Sequence, residues 1–549
     1  VTGIYEFAQK CHQKNIKPVV RMEMRENNEL YYILLAKNSR GVGAICQLRT
    51  THNLEETALP AKCPALPDTA IIYTMSQAPA VLGEHEYIGV QPHEINLLIR
   101  PQWQRYLPKM VILAPITISD EESYQLHRIL RAIDRNVLLS KLNKEDCCRP
   151  DEHLRLIQDL LAIFQAYPQI LANTAQLLGS CSFDFEYTTP KNKKHFTDSR
   201  EGDRLLLTEL TEKGLLRRYG ADHTLARQRA ERELKVIDEL NFSGYFLITW
   251  DIVQYSNSQG FMHIGRGSGA NSIIAYCLGI TDICPLELDL YFERFLNLNR
   301  KVPPDFDIDW GWQERDIILR YIFDRYGKDH VAFCGTNIAF KYRSIFRELG
   351  KVFGLPKEEL DALATQSMDQ HDTNSVVRKI HHYANMLEKY PNQRSMHACG
   401  ILISEEPITQ YSALELPPKG FPIVQFDMHV AEGIGLEKFD ILSQRGIGSI
   451  NDAVKIIAQN RGITIDIRNT QISKEEAECN DHLARGQTIG CFYIESPAMR
   501  GLLRRLKCAD YRTLVAASSI IRPGVAQSGM MKEYIFRHNY PDQFEYMHE

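Results

Sequence analysis

"KVPPDFDIDW", Lys301 to Trp310, sets Asp305, Asp307 and Asp309 at alternate positions among apolar residues. Successive side chains of a β-strand point to opposite faces, so this spacing predicts three carboxylates on one face and Phe306 and Ile308 on the other. Like charges that close repel, and the apolar neighbours Val302, Pro303, Phe306 and Ile308 imply partial burial. A cation or a shared proton is needed to offset that cost. Two Mg²⁺ ions, typically about 3.5 to 4 Å apart in such sites, would serve. The bland alternative is an edge strand with solvated acids.

About forty residues upstream stands "GRGSG", Gly265 to Gly269, between a short apolar run and the helical pattern "ANSIIAYCLG". Its backbone N–H groups and the following helix N-terminus predict a phosphate cradle, with a tight structural turn as the alternative. Phosphate cradle and metal-binding carboxylates together point to phosphoryl or nucleotidyl transfer. Downstream, "GIGLEKFDILS" puts Lys438 and Asp440 two apart on one strand face, either as an ion pair or as a triphosphate contact and a further metal ligand.

Two basic stripes follow the same logic. Arg343, Arg347 and Lys351 fall at i, i+4 and i+8 in "YRSIFRELGKVF", with Phe346, Leu349 and Phe353 on another face. Arg500, Arg504 and Lys507 repeat the arrangement after Ser496-Pro497, an N-cap and N1 signal. Each is a solvated face or a sequence-independent phosphate contact for DNA.

The chain of 549 residues exceeds one ordinary core, and roughly 100 to 200 residues per domain predicts several units. Residues 1 to about 150 alternate helix-like "IYEFAQKCHQKNI" and "YQLHRILRAI" with strand-like "KPVVRMEM" and "LYYILLAK", an α/β rhythm. "TTPKNKKHFTDSREGD", Thr188 to Asp203, reads as a connector, "ARQRAERELKVIDEL" as a helix, and 311–390 as mostly helical. No apolar run approaches the roughly 18 to 20 residues of a bilayer span. Thirteen cysteines without repeated CxxC spacing suit a reducing cytoplasm better than a disulfide framework. The net charge of -5 excludes a uniformly basic nucleic-acid coat but not local basic tracks. Both ends of the chain read as cut.

"HIGRGSGANSIIAYCLGITDICPLELDLYFERFLN", "PPDFDIDW", "RSMHACGILIS", "GLEKFDIL" and "SSIIRPGVAQSGM", in that order, resemble the alpha subunit of bacterial DNA polymerase III, the C-family replicative polymerase. The resemblance implies an α/β and α+β multidomain chain. Its parts would be a degenerate PHP-like domain and connector (1–190), a polymerase-β-like nucleotidyltransferase palm (191–310 and 391–450), a helical thumb (311–390) and incomplete, mainly helical fingers (451–549). It implies that Asp305, Asp307 and Asp440 hold two Mg²⁺, with Asp309 a neighbour and not a ligand. Gly267, Ser268, Arg294, Lys438 and Arg522 would contact the triphosphate. Asn271-Ser272 replaces a second Gly-Ser, Val525 replaces a proline, and His397 matches a family histidine of catalytic or core type.

The first basic stripe would belong to the thumb and the second to the fingers. Expected partners are primer-template DNA, deoxynucleoside triphosphates and, through a region beyond residue 549, a sliding clamp and other replisome subunits, with no membrane. The expected reaction is template-directed DNA synthesis. The alternatives are a metal-dependent phosphoesterase in the N-terminal region, where only Glu23 remains as a candidate ligand, and a non-catalytic DNA-binding relative.

Overall fold

The computed structural model describes residues 2–26, 29–293, 296–297, 302–363, 375–468, 474 and 476–545. It is a mixed α/β chain that divides into two compact units. One consists of Val1–Lys193 with Tyr326–Lys438, the other of Lys194–Arg325 with Phe439–Glu549. The strands in chain order are β1 (Arg21–Glu26), β2 (Glu29–Ala36), β3 (Thr69–Thr74), β4 (Glu86–Val90), β5 (Met110–Ile112) and β6 (His263–Arg266). Then come β7 (Asp307–Gly311), β8 (Val331–Ala339), β9 (Pro391–Ile403), β10 (Leu414–Glu415), β11 (Ile423–Val424) and β12 (Lys438–Gln444).

In the first unit β1 to β5 form a sheet in chain order, antiparallel from β1 to β3 and parallel from β3 to β5. Its centre is apolar on both faces, and the period of two sorts the side chains. Tyr32, Leu34, Ile71 and Tyr73 join one core with Ile45 and Leu402, while Ile33, Leu35, Ala70 and Ile72 join another with Val111 and Leu177.

The same unit holds the helix Tyr342–Phe353. Its Ile345, Phe346, Leu349 and Val352 pack with Leu126 and Ile129 of the helix Glu121–Arg135 and with Ile380 and Leu387 of the helix Ser375–Leu387. Arg343, Arg347 and Lys351 are exposed on the other face, as the spacing predicts, and Lys351 Nζ lies 2.9 Å from a carboxylate oxygen of Glu348.

Helices occupy much of 311–390, but Val331–Ala339 is strand. "VAFC" is a continuous apolar run, fully buried, and β8 pairs antiparallel with β9 and parallel with β11. Helical periodicity cannot register such long-range partners.

In the second unit β7 lies between β12, parallel to it, and β6, antiparallel to it. Ile308 and Trp310 of β7 and Phe439 and Ile441 of β12 are buried, and Trp310 Nε1 donates to Ser256 Oγ at 2.6 Å. Farther on, Ser496 caps the helix Pro497–Leu506 by accepting from Met499 N, and Leu502, Leu503 and Leu506 pack with Ala517. No helix among the described residues is long and apolar enough to cross a membrane.

Leu349 is fully buried while Arg347 is exposed. Leu349→Ala is expected to cost about 2 to 5 kcal/mol and Arg347→Ala less than about 0.5 kcal/mol. Urea denaturation followed by tryptophan-independent far-UV dichroism compares the two; equal losses would refute the amphipathic assignment.

Candidate active site

Register assembles the site. β12 runs parallel to β7 with Asp440 opposite Asp307, and β6 runs antiparallel with Arg266 opposite Asp307, so Arg266, Asp307 and Asp440 form one cross-strand row. The next row along the same face holds Ile264, Asp309 and Leu442. Burial of Ile308, Trp310, Phe439 and Ile441 on the opposite face fixes this arrangement, because a slip by one residue would turn the acids into the core.

Asp305 departs from expectation. The ordered strand begins only at Asp307, so the three acids do not share one strand face. Pro303 and Pro304 precede it, and the backbone of Asp305 is bound to the glycine-rich turn instead of a strand. Its N–H donates to Ser268 Oγ and its carbonyl accepts from Gly269 N, both at 2.9 Å. The Asp305 side chain is exposed, Asp307 half-buried, and Asp440 buried. Asp305, Asp307 and Asp440 do not close into one tight cluster of ligand atoms. Asp307 and Asp440 nevertheless present oxygen donors in one row, the donor chemistry that Mg²⁺ takes, so the residues fit such an ion.

The cation required beside these acids is Arg266, which pattern reading passes over. Its guanidinium forks onto Asp309, with Nε and Nη2 facing the two carboxylate oxygens, while Nη1 lies 3.4 Å from Asp307 Oδ2. Asp309 is 1% exposed and also accepts from Gln444 Nε2 at 3.1 Å. The only sequence signal is an arginine within a glycine-rich turn, and its partner lies 43 residues away.

The turn itself needs its glycines. Gly267 has φ +87°, and a Cβ there would stand 2.5 Å from the Asp305 carbonyl; a Cβ at Gly269 would strike the Phe306 ring at 2.3 Å. Ser268 accepts from Asp305 N and keeps its own hydroxyl hydrogen to donate.

The expected helix N-terminus does not serve as a phosphate cradle. The helix after the turn spans only Ile273–Leu278, and its first N–H groups are already taken. Ile273 N donates to Glu233 Oε2 at 2.9 Å, and Ile274 and Ala275 donate to Ser272 Oγ. Glu233 is fully buried, also accepts from Ser272 Oγ, and is paired with Arg229, whose guanidinium reaches the Asn271 carbonyl. Asn271 Nδ2 donates to the Ser268 carbonyl. The departure at Asn271-Ser272 therefore acts on packing of the turn.

Other expected residues are placed as follows. Lys438 begins β12, two residues before Asp440, and its stem packs by Gly400. His397 is half-buried and its Nδ1 accepts from Gly400 N at 2.8 Å. Arg522 is exposed ahead of the short helix Pro523–Gln527, and Arg294 lies outside the described residues. The second basic stripe is not a continuous helical face. Arg500 Nε donates to the Gly486 carbonyl, and Lys507 lies past the helix end in the left-handed region at φ 49°, because the helix closes at Leu506. Glu23 is committed to Arg25 at 2.8 Å and Arg21 at 3.5 Å, so cations occupy the carboxylate proposed as a remnant ligand.

Comparison with known proteins identifies the family. A model described as the bacterial DNA polymerase III alpha NTPase domain matches residues 205–443, and one for the bacterial DNA polymerase III alpha subunit finger domain matches 447–549. The chain is 30% identical over 458 residues to an error-prone DNA polymerase of Symbiobacterium thermophilum, covering 80% of this chain and 42% of that protein. It is 30% identical over 547 residues to a DNA polymerase III subunit alpha of Streptococcus pyogenes, covering 95% and 51%. A Halalkalibacterium halodurans subunit of the same name is 27% identical over 602 residues, covering 100% and 53%. The chain spans about half the length of the curated relatives it matches. It belongs to the bacterial DNA polymerase III alpha-subunit family.

Burial pushes the Glu233 carboxyl from 4.5 up to about 7. Between those values the folded chain holds a proton that the unfolded chain has released, so stability from this group is lost as pH rises through that window. Glu233→Gln should remove that loss, worth up to about 3 kcal/mol between roughly pH 5 and pH 7.5. Melting wild type and variant at both pH values checks it; a difference independent of pH would show that Glu233 titrates normally.

Proposed function

We propose that this chain carries the polymerase centre of a template-directed DNA-synthesising enzyme. The observation that carries the reading is the row joining Asp307 to Asp440 across parallel strands, with the Gly267-Ser268 turn tied to the backbone of Asp305. A primer 3′-hydroxyl oxygen forms a bond to the α-phosphorus of a deoxynucleoside triphosphate, the bond to the bridging oxygen breaks, and pyrophosphate leaves while the hydroxyl proton passes to solvent or base.

Asp305, Asp307 and Asp440 are the residues to hold two Mg²⁺, which when bound supply Lewis-acid stabilisation and a more acidic 3′-hydroxyl. The chain's own groups do the positioning. Ser268 and the turn donate hydrogen bonds to the triphosphate, and Lys438, Arg522 and Arg294 supply positive charge to it. Residues 191–310 and 391–450 act as palm, 311–390 as thumb, 451–549 as fingers and 1–190 as a PHP-like scaffold.

The stripe of Arg343, Arg347 and Lys351 is exposed on a helix anchored by its other face, which suits phosphate contacts that ignore sequence. Neutralising one of the three should weaken primer-template binding evenly across sequences and lower the salt slope by about one unit. Fluorescence anisotropy at several salt concentrations reads this, and unchanged slopes in all three variants would leave the stripe a solvated face.

The central test uses conservative substitutions in the full-length protein. Asp305→Asn, Asp307→Asn and Asp440→Asn should each lower single-turnover nucleotide incorporation by orders of magnitude, while DNA affinity stays level or rises slightly as an acid facing phosphate is neutralised. Near-normal incorporation by Asp440→Asn would overturn the assignment.

A further inference from the structure

Arg266 is a cation that the proposed chemistry does not use, yet it touches the carboxylate on which that chemistry depends. One guanidinium meets two carboxylates: Asp309 through Nε and Nη2, and Asp307 Oδ2 through Nη1 at 3.4 Å. The two contacts differ in kind. Asp309 is 1% exposed and is held from a second side by Gln444, so its pairing with Arg266 keeps a buried charge from standing alone. Asp307 is half-buried, so part of its carboxylate stays open to solvent, and it lies in the cross-strand row with Asp440.

Arg266 is itself 46% exposed on its side chain, at the end of β6 immediately before Gly267. The planar fork has its direction set by Asp309, and the remaining nitrogen is thereby aimed at Asp307.

We propose that Arg266 is a positioning residue that uses the buried Asp309 as its anchor to fix the orientation of the Asp307 carboxylate. This rests on the reading of Asp307 as a metal ligand. Mg²⁺ demands near-ideal octahedral geometry and dehydrates reluctantly, so a ligand carboxylate with a fixed rotamer matters more to it than to a more tolerant cation such as Mn²⁺. A second consequence is electrostatic: one positive charge beside the row moderates the repulsion among its acids and also weakens their raw attraction for a cation. Arg266 therefore trades metal affinity for geometry.

The experiment uses the full-length protein with Asp309→Asn as the background, which removes the buried charge that would otherwise be left unpaired while its amide oxygen still accepts from Arg266 and keeps the anchor. Arg266→Gln added to Asp309→Asn, and Arg266→Lys alone, are each followed by thermal melting, by Mn²⁺ binding in electron paramagnetic resonance, and by single-turnover incorporation with Mg²⁺ or Mn²⁺. Arg266→Lys keeps the charge and an Asp309 partner but cannot reach both carboxylates from a planar fork.

Adding Arg266→Gln should leave the melting temperature of the Asp309→Asn background in place, raise Mn²⁺ affinity severalfold, and lower the Mg²⁺-supported rate at least tenfold with a smaller fall in Mn²⁺. Arg266→Lys should show the same preference for Mn²⁺ over Mg²⁺ without the gain in affinity. If both variants keep the Mg²⁺ rate and Mn²⁺ affinity of their parents, Arg266 only neutralises Asp309 and the inference is wrong. Asp307→Asn is the separate control: if it leaves Mn²⁺ binding unchanged, the metal-ligand reading of Asp307 fails, whatever the Arg266 variants do.

Discussion

A carboxylate that is 1% exposed, Asp309, is costly to bury unless a cation reaches it with good geometry. Arg266 meets that demand from β6, and much else follows from where it has to stand. For its guanidinium to lie on the acid face, β6 must pair with β7 in the observed register, with Arg266 opposite Asp307. A shift of one residue would carry the arginine to the side of Ile308 and Trp310. Once that register holds, the next residues of the chain have no freedom: Gly267 and Gly269 arrive against the Asp305 carbonyl and the Phe306 ring, where no side chain fits. The glycine-rich turn and the aspartate segment are thus one object built from two distant pieces of sequence.

The second constraint works from the opposite side of the turn. Glu233 and Ser272 satisfy the opening N–H groups of the Ile273–Leu278 helix from within the protein. Anion affinity at this place cannot come from the helix end, because the Glu233 carboxyl and the Ser272 hydroxyl already occupy its donors. Under the proposed function it would fall to the turn and to side-chain cations. Arg229 binds both Glu233 and the Asn271 carbonyl, so a single helix, Thr224–Glu239, holds the rear of the turn through Arg229 and Glu233.

What could be read from sequence alone was local. Alternation in "FDIDW" and "KFDIL" announced β7 and β12, and the spacing of Phe346 and Leu349 against Arg343 and Arg347 announced an amphipathic helix. The family motifs singled out the aspartates. Pairing partners could not be read, and most of the errors trace to them. Asp305 left the strand because its backbone bonds to Ser268 and Gly269; β8 escaped a helical reading because β9 and β11 pair with it; and Arg266 was passed over because its partners are some forty residues away. Lys507 fell off its stripe for a different reason, the closing of a helix one residue earlier.

Both compact units are made of two separated lengths of chain, and this has a consequence for how the protein comes off the ribosome. The first unit needs Tyr326–Lys438, since Tyr5 Oη donates to the Tyr411 carbonyl, Asn53 Nδ2 to the Leu414 carbonyl, and Ile45 shares a core with Leu402. Before any of these partners emerges, the whole of Lys194–Arg325 must be synthesised. At roughly 5 to 20 residues per second that is a wait of about 7 to 26 seconds. During that interval the Tyr32, Leu34 and Tyr73 face of the β1 to β5 sheet lacks the covering that Leu402 and Val424 give it in the finished unit, so apolar surface stays exposed on the nascent chain.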